Sequence, residues 1–250
     1  MIIENLELSS SLHIEDSSGR KMCETCNRPE KVCWCPSLPN PRIAIMGRVV
    51  VLQHPAEEKR NLKTIPMLKL GLQHGMCTII RGKKFNSNRF HENGISLDPK
   101  STVLLYPGRD SKNIYEAAVE LDRPYTIILI DGTWAQANAI YNISPVLHYL
   151  TKVTLKIDGF SEYVIRTQPS ASCLSSVETA AIALSVLEND DSIKTKLLAP
   201  LRTLCDFQLN HGAVVHDNKV TSISEGKFRR KVGRRTEKFL RKLGVEKPPL

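Results

Sequence analysis

Two groups of residues in this chain have the types and spacing that chemistry requires. The first is Cys23-x2-Cys26-x6-Cys33-x-Cys35. Two short cysteine pincers joined by a brief turn can present four thiolates as a tetrahedron, the set zinc takes in a closed structural site. A catalytic zinc keeps one position open for water. Four protein thiolates leave none, so the zinc read from Cys23, Cys26, Cys33 and Cys35 is structural. The alternatives are two disulfides or reduced thiols packed in a core. Residues 1–20, with Glu4, Glu7, Glu15 and Asp16, hold neither an apolar signal core nor an Arg-rich transit pattern, which disfavours the first. The polar neighbours Glu24, Thr25, Asn27 and Arg28 disfavour the second. Cys77, Cys173 and Cys205 stand singly among apolar residues and read as core thiols.

The second group is Leu129-Ile130-Asp131-Gly132-Thr133-Trp134, where an apolar strand runs directly into polar residues. A carboxylate at such a junction is partly desolvated, which equips Asp131 as a base or hydrogen-bond acceptor. Asp, Gly and Thr are also favoured helix N-caps, so a structural role is equally open. Trp134 offers a face on which a nucleobase can stack, or it fills the core. A similar junction is Leu104-Leu105-Tyr106-Pro107-Gly108, an apolar strand that stops abruptly at proline and glycine.

The elements that position these residues alternate. Apolar, β-branched runs predict strands at 48–54, 77–81, 102–106, 125–130, 152–157 and 163–166. Helical spacing predicts helices at 57–72, 114–121, 134–143, 176–187 and 193–209, the last with a break or fresh start at Pro200. Strands alternating with helices give an α/β fold with a mostly parallel sheet covered on both faces. In such a sheet, reactive groups gather where strands end and helices begin. The organisation read from the chain is a disordered tail over 1–20, a zinc knuckle and Pro-rich connector over 21–41, a globular domain over 42–224 and a basic segment over 225–250.

With 250 residues and 41% apolar content, the chain can bury a substantial core, and its apolar runs are too short to span a bilayer. The formal charge of +9 is concentrated rather than spread. Lys227, Arg229, Arg230, Lys231, Arg234, Arg235, Lys238, Arg241 and Lys242 are interrupted by a single acid, Glu237. A stripe of this kind binds polyanions by releasing their counterions, which makes nucleic acid the leading partner, with Lys227 to Arg235 as its principal contacts. A nuclear localisation signal or a solvated tail are the plainer readings. Reduced cysteines fit cytoplasm or nucleus, and nothing in the residues calls for an obligatory protein partner.

The run Asp131-Gly132-Thr133-Trp134 resembles the Asp-x-Thr-Trp signature of the DTW-domain family, which comprises tRNA-uridine aminocarboxypropyltransferases. The four cysteines resemble that family's zinc knuckle, and His54-Pro-Ala-Glu57 its early strand-exit motif. Leu105 to Gly108 is similar to the family's second junction. Leu174-Ser175-Ser176-Val177-Glu178 is similar to its Leu-Ser-Thr-x-Glu stretch, with Ser176 in place of threonine. The likeness runs in order from Cys23 to Gly212 and is nearest to the eukaryotic branch acting on the tRNA D-loop.

That resemblance implies a fold related to the knotted SPOUT transferases. It implies transfer of the 3-amino-3-carboxypropyl group of S-adenosylmethionine to N3 of a tRNA uridine. Asp131 would be the base, with Thr133 and Trp134 shaping the pocket. Leu105, Tyr106, Pro107, Gly108, Leu129, Ile130, Ser175, Ser176 and Glu178 would line the cofactor site. Arg166 would clamp a carboxylate or phosphate, or else form a surface ion pair. The spacing of His54 and Glu57 at a strand exit could place both in the pocket, but simple capping also accounts for them, and for Ser175, Ser176 and Glu178. The rival functions are a SPOUT-like RNA methyltransferase and a non-catalytic zinc-containing RNA-binding protein.

Overall fold

β-Branched runs set the strands: β1 (Arg48–Gln53), β2 (Cys77–Arg81), β3 (Thr102–Leu105), β4 (Lys112–Asn113), β5 (Thr126–Asp131) and β6 (Thr151–Thr154). The structure is a computed structural model that describes residues 20–155, 160–167 and 173–216. The expectations for the N-terminal tail before residue 20, for the end of the 152–157 strand and for the basic segment after residue 225 lie outside the described residues. All strand pairs are parallel, in the order β2-β1-β5-β3-β6-β4.

Both faces of the sheet are covered, which is why β1 and β5 read as continuous apolar runs rather than alternating ones. Val49, Val51, Ile127 and Leu129 face helices α1 (Ile65–Gly71), α3 (Ile114–Glu120), α5 (Ser176–Leu187) and α6 (Ser192–Asn210). Val50, Leu52, Ile128 and Ile130 face α2 (Ser87–His91) and α4 (Trp134–Ile143). From β1 the chain passes through α1 to β2, towards one edge. From β5 it passes through α4 to β6, towards the other edge and across the opposite face. β1 and β5 are neighbours, so their connections part between them and leave a crevice at their carboxyl ends, where open α/β sheets bind ligands.

Three expectations are corrected. The 57–72 segment is not one helix: Pro55–Lys59 makes a 3-10 turn and α1 starts only at Ile65, with Pro66 in its first turn, where a missing N–H costs nothing. The 163–166 run is a turn rather than a strand, because Tyr163 is drawn into the core and its hydroxyl donates to the Leu62 carbonyl at 2.9 Å. Pro200 neither breaks nor restarts the last helix. It is buried inside α6, whose apolar face (Ile193, Leu197, Leu201, Leu204) holds the helix together across the missing hydrogen bond. Cys77 and Cys205 are buried as expected, and Cys173 is half-buried. Among the described residues no helix is long and apolar enough to cross a membrane.

Candidate active site at the β1–β5 crevice

Asp131 ends β5 directly beside Gln53, the last residue of β1. Both side chains emerge on the face covered by α5, since they share the parity of Leu129 and Val51. The Asp131 carboxylate is 8% exposed. Its Oδ2 accepts from Gln53 Nε2 at 3.0 Å and its Oδ1 accepts from Ser176 Oγ at 2.6 Å. Ser176 is the first residue of α5, so that helix points its amino terminus at the carboxylate. Gln53 Oε1 accepts from Arg81 Nε at 3.4 Å, which fixes the amide with its NH2 towards Asp131.

The helix-cap reading of Asp131 is excluded by Thr133. Thr133 caps α4, its Oγ1 accepting from the Gln136 amide at 3.3 Å while Gln136 Oε1 accepts from the Thr133 amide at 2.8 Å. Gly132 lies in close approach to its neighbours: an added Cβ would stand 3.2 Å from Gln136 and 3.4 Å from His54. Trp134 is 48% exposed at the first position of α4 and does not fill the core.

A second acid shares the corner. Glu57, in the turn after β1, is buried. Burial first, and then the nearby Asp131 charge, push its carboxyl above the ordinary range, while Arg60 and Arg166 pull the other way. Its Oε2 pairs with Arg60 Nε at 3.1 Å. Arg166 is exposed and makes no ion pair among the described residues. His54 caps the same turn, its Nδ1 accepting from the Ala56 amide at 3.1 Å; burial and Lys83 lower its pKa, which favours the neutral ring.

Other residues singled out from the sequence do not converge on Asp131. Tyr106 lies on the opposite face of the sheet, stacked on Tyr141 with centroids 4.6 Å apart and its hydroxyl bonded to Asn138. Pro107 and Gly108 are exposed, and Leu105, Leu129 and Ile130 are core side chains. Ser175 caps α5, and Glu178 is saturated by protein donors. Glu178 Oε1 takes the Glu162 amide at 2.6 Å, Oε2 takes the Ser175 amide at 2.7 Å and Oγ at 2.6 Å, and Ser161 Oγ reaches both oxygens. The basic contacts Lys227, Arg229, Arg230, Lys231, Arg234 and Arg235 lie outside the described residues. Sequence reasoning missed Gln53 and Arg81; the signal was a lone amide closing an otherwise apolar strand. Two open depressions lie elsewhere. One, of about 420 Å3, is beside Lys100, Val103 and Thr151 near the amino-terminal side of the sheet, and one, of about 340 Å3, is beside Phe85, Val146 and Tyr149. The first is at the wrong end of the strands and the second holds no acid, so chemistry rather than volume locates the site.

Residues 20–209 match the DTW domain, most of the chain. The chain belongs to the DTW-domain family. It is 48% identical over 223 residues to tRNA-uridine aminocarboxypropyltransferase 2 of Drosophila melanogaster, covering 89% of this chain and 88% of that one. It is 41% identical to the Mus musculus protein of the same name, over 87% of this chain and 73% of that one. A more distant relative, tRNA-uridine aminocarboxypropyltransferase A of Arabidopsis thaliana, is 25% identical over 76% of this chain and 81% of its own. No solved structure matches significantly.

The DTW match begins ahead of the cysteine cluster, which is therefore part of the family's domain. The Sγ atoms of Cys23, Cys26, Cys33 and Cys35 lie within 4.8 Å of one another, with Cys23 and Cys35 at 3.8 Å and Cys26 and Cys33 at 3.6 Å. Metal–sulfur bonds of about 2.3 Å in a tetrahedron set the sulfurs about 3.8 Å apart, so the cluster fits a metal ion. Asn27, with a φ of 55°, closes the first pincer by donating its amide to the Cys23 carbonyl at 2.8 Å. The Cys26 amide and Cys33 thiol pull Cys23 down to about 6, while burial pushes Cys26 and Cys35 up. Without a cation such a cluster does not hold four thiolates; a bound divalent ion makes them stable.

Proposed function

We propose that this DTW protein transfers the 3-amino-3-carboxypropyl group of S-adenosylmethionine to N3 of a tRNA uridine, releasing methylthioadenosine. The observation that carries this reading is the buried Asp131 carboxylate, held by Gln53 and Ser176 at the switch point instead of capping α4. S-adenosylmethionine supplies an alkyl carbon on a positive sulfur, whose departure as a neutral thioether needs no acid. The corner suits it, with carboxylates for the cationic groups and Arg60 and Arg166 for the methionine carboxylate.

N3 of uridine is a poor nucleophile until its proton leaves, and Asp131 accepts that proton as the N3–carbon bond forms and the carbon–sulfur pair moves to sulfur. Gln53 and Ser176 keep the base in one orientation, so much of the catalysis is positioning. The exposed face of Trp134 stacks the pyrimidine, and Thr133 fixes the turn that presents it. Leu129, two residues before Asp131 on the same face, and Ser175, which caps α5 beside Ser176, border the donor. The four-cysteine cluster holds structural zinc, and Lys227 to Arg235 grip tRNA phosphates.

The test uses unmodified tRNA and reads methylthioadenosine release and the mass of the modified nucleoside. Wild type gives the aminocarboxypropyl mass, and Asp131→Asn loses transfer, by at least about 10³-fold, while keeping its melting temperature. A methyl-sized product identifies a methyltransferase, absence of any adduct identifies a binding protein, and near-normal turnover by Asp131→Asn removes Asp131 from the role of base.

A further inference from the structure

Glu57 is a buried acid with one oxygen that the described residues leave unsatisfied. It is 8% exposed, and its Oε1 is fully buried without a hydrogen-bond partner among the described residues. Its other oxygen is held by Arg60, so the carboxylate is fixed in place rather than free to turn towards water. It sits close enough to Asp131 for that charge to oppose its own ionisation, with Arg166 nearby. Buried carboxylate oxygens are nearly always satisfied, and an orphan beside a second acid in a ligand crevice calls for a hydrogen-bond donor of positive charge.

The geometry points to Glu57 as the binding residue for the α-ammonium of the aminocarboxypropyl arm, a role that rests on the reading above that S-adenosylmethionine enters the β1–β5 crevice. The donor carries two cationic groups, and only one suits Oε1. The sulfonium has no hydrogen to give, whereas the ammonium has three. The carboxylate on the same carbon then falls to Arg60 or Arg166, which flank Glu57 with the opposite sign. A zwitterionic arm thus meets a paired acid and base, and an arm gripped at its far end presents its γ-carbon, not the methyl group, to the nucleophile. This assigns to Glu57 part of the choice between alkyl transfer and methyl transfer.

The test is calorimetric titration of the full-length protein, wild type and Glu57→Gln, with three ligands. S-adenosylmethionine has the ammonium and sulfonium, S-adenosylhomocysteine has the ammonium alone, and methylthioadenosine has neither. Glu57→Gln is expected to weaken the first two equally, by about tenfold or more, and to leave methylthioadenosine unchanged. Equal weakening of all three overturns the proposal in favour of a ribose contact or a damaged fold, and weakening of S-adenosylmethionine alone overturns it in favour of the sulfonium. The ligand-free melting temperature supplies an independent readout: neutralising a buried carboxylate that has one orphaned oxygen and faces the Asp131 charge leaves Glu57→Gln at least as stable as wild type, whereas a Glu57 kept only for its Arg60 pair predicts a loss. If wild type binds none of the ligands, it is the parent reading of the crevice that fails.

Discussion

At the residue scale, the proposed base is only as good as the two groups that hold it. Ser176 and Gln53 each donate one hydrogen bond to a different oxygen of Asp131, so neither can substitute for the other. Ser176→Ala or Gln53→Leu is expected to lower kcat by about 10²-fold, with little change in the KM for S-adenosylmethionine, because a base misplaced by about 1 Å loses that much. Ser176→Thr, which keeps the hydroxyl, is the rescue: it should restore kcat to within a few-fold. Single-turnover methylthioadenosine release measures all three, and a kcat that survives Ser176→Ala removes Ser176 from the positioning role. Asp131, Trp134 and Ser176 were legible in the sequence because strand exits and helix starts have compositional marks. Gln53 was not, since its importance comes from a parallel register between β1 and β5 that joins positions far apart in the chain, and Glu57 was marked only as part of a strand-exit motif for which capping served equally well. Glu178 shows the reverse: sequence proximity to Ser176 suggested the cofactor site, yet its oxygens are consumed by Ser161, Glu162 and Ser175.

At the scale of elements, the cysteine cluster is coupled to the fold through what it packs against. Trp34, between the last two ligands, is 2% exposed within the main core, and Ser37 Oγ meets Thr203 Oγ1 of α6 at 2.6 Å. Cys26, Cys35 and Leu38 rest on the same core. If the cluster holds the proposed zinc, losing it would free like-charged or reluctant thiols and undo this docking, so that binding energy would be folding energy. Stripping the metal with a chelator, or Cys26→Ser, should lower Tm by about 5–10 °C, given that each kcal/mol is worth about 2–4 °C in a domain of this size. Metal content by mass spectrometry, paired with a thermal melt, checks it; an unchanged Tm in metal-free protein overturns the structural role. Element types were readable wherever burial was continuous, as in β1, β5 and α5. The failures came where tertiary packing overrode local preference. A buried proline was carried through α6, Tyr163 was pulled out of a strand-like run, and short edge elements such as β4 and α2 had too few residues to show a period.

At the scale of the molecule, the proposed reading divides transfer and tRNA binding between separable parts of the chain. The crevice is built from β1, β5, the turn after β1 and the start of α5, all inside the DTW match, which ends at residue 209. The basic run from Lys227 to Lys242 comes after it and holds most of the net charge of +9. If the run neutralises phosphates, its removal changes how binding responds to salt, not only how tight it is, because every phosphate left without its cation reduces the slope of log K against log salt by about 0.7–0.9. Deleting residues 227–242 is therefore expected to weaken tRNA binding by at least about tenfold at low salt and to flatten that slope, while the affinity for S-adenosylmethionine stays at the wild-type value. Filter binding of tRNA across a salt series, with calorimetry for the small ligand, distinguishes the outcomes. A weaker but equally steep salt dependence means that the phosphate-binding cations lie on the DTW domain itself, and an unaltered tRNA affinity assigns the basic run to another purpose.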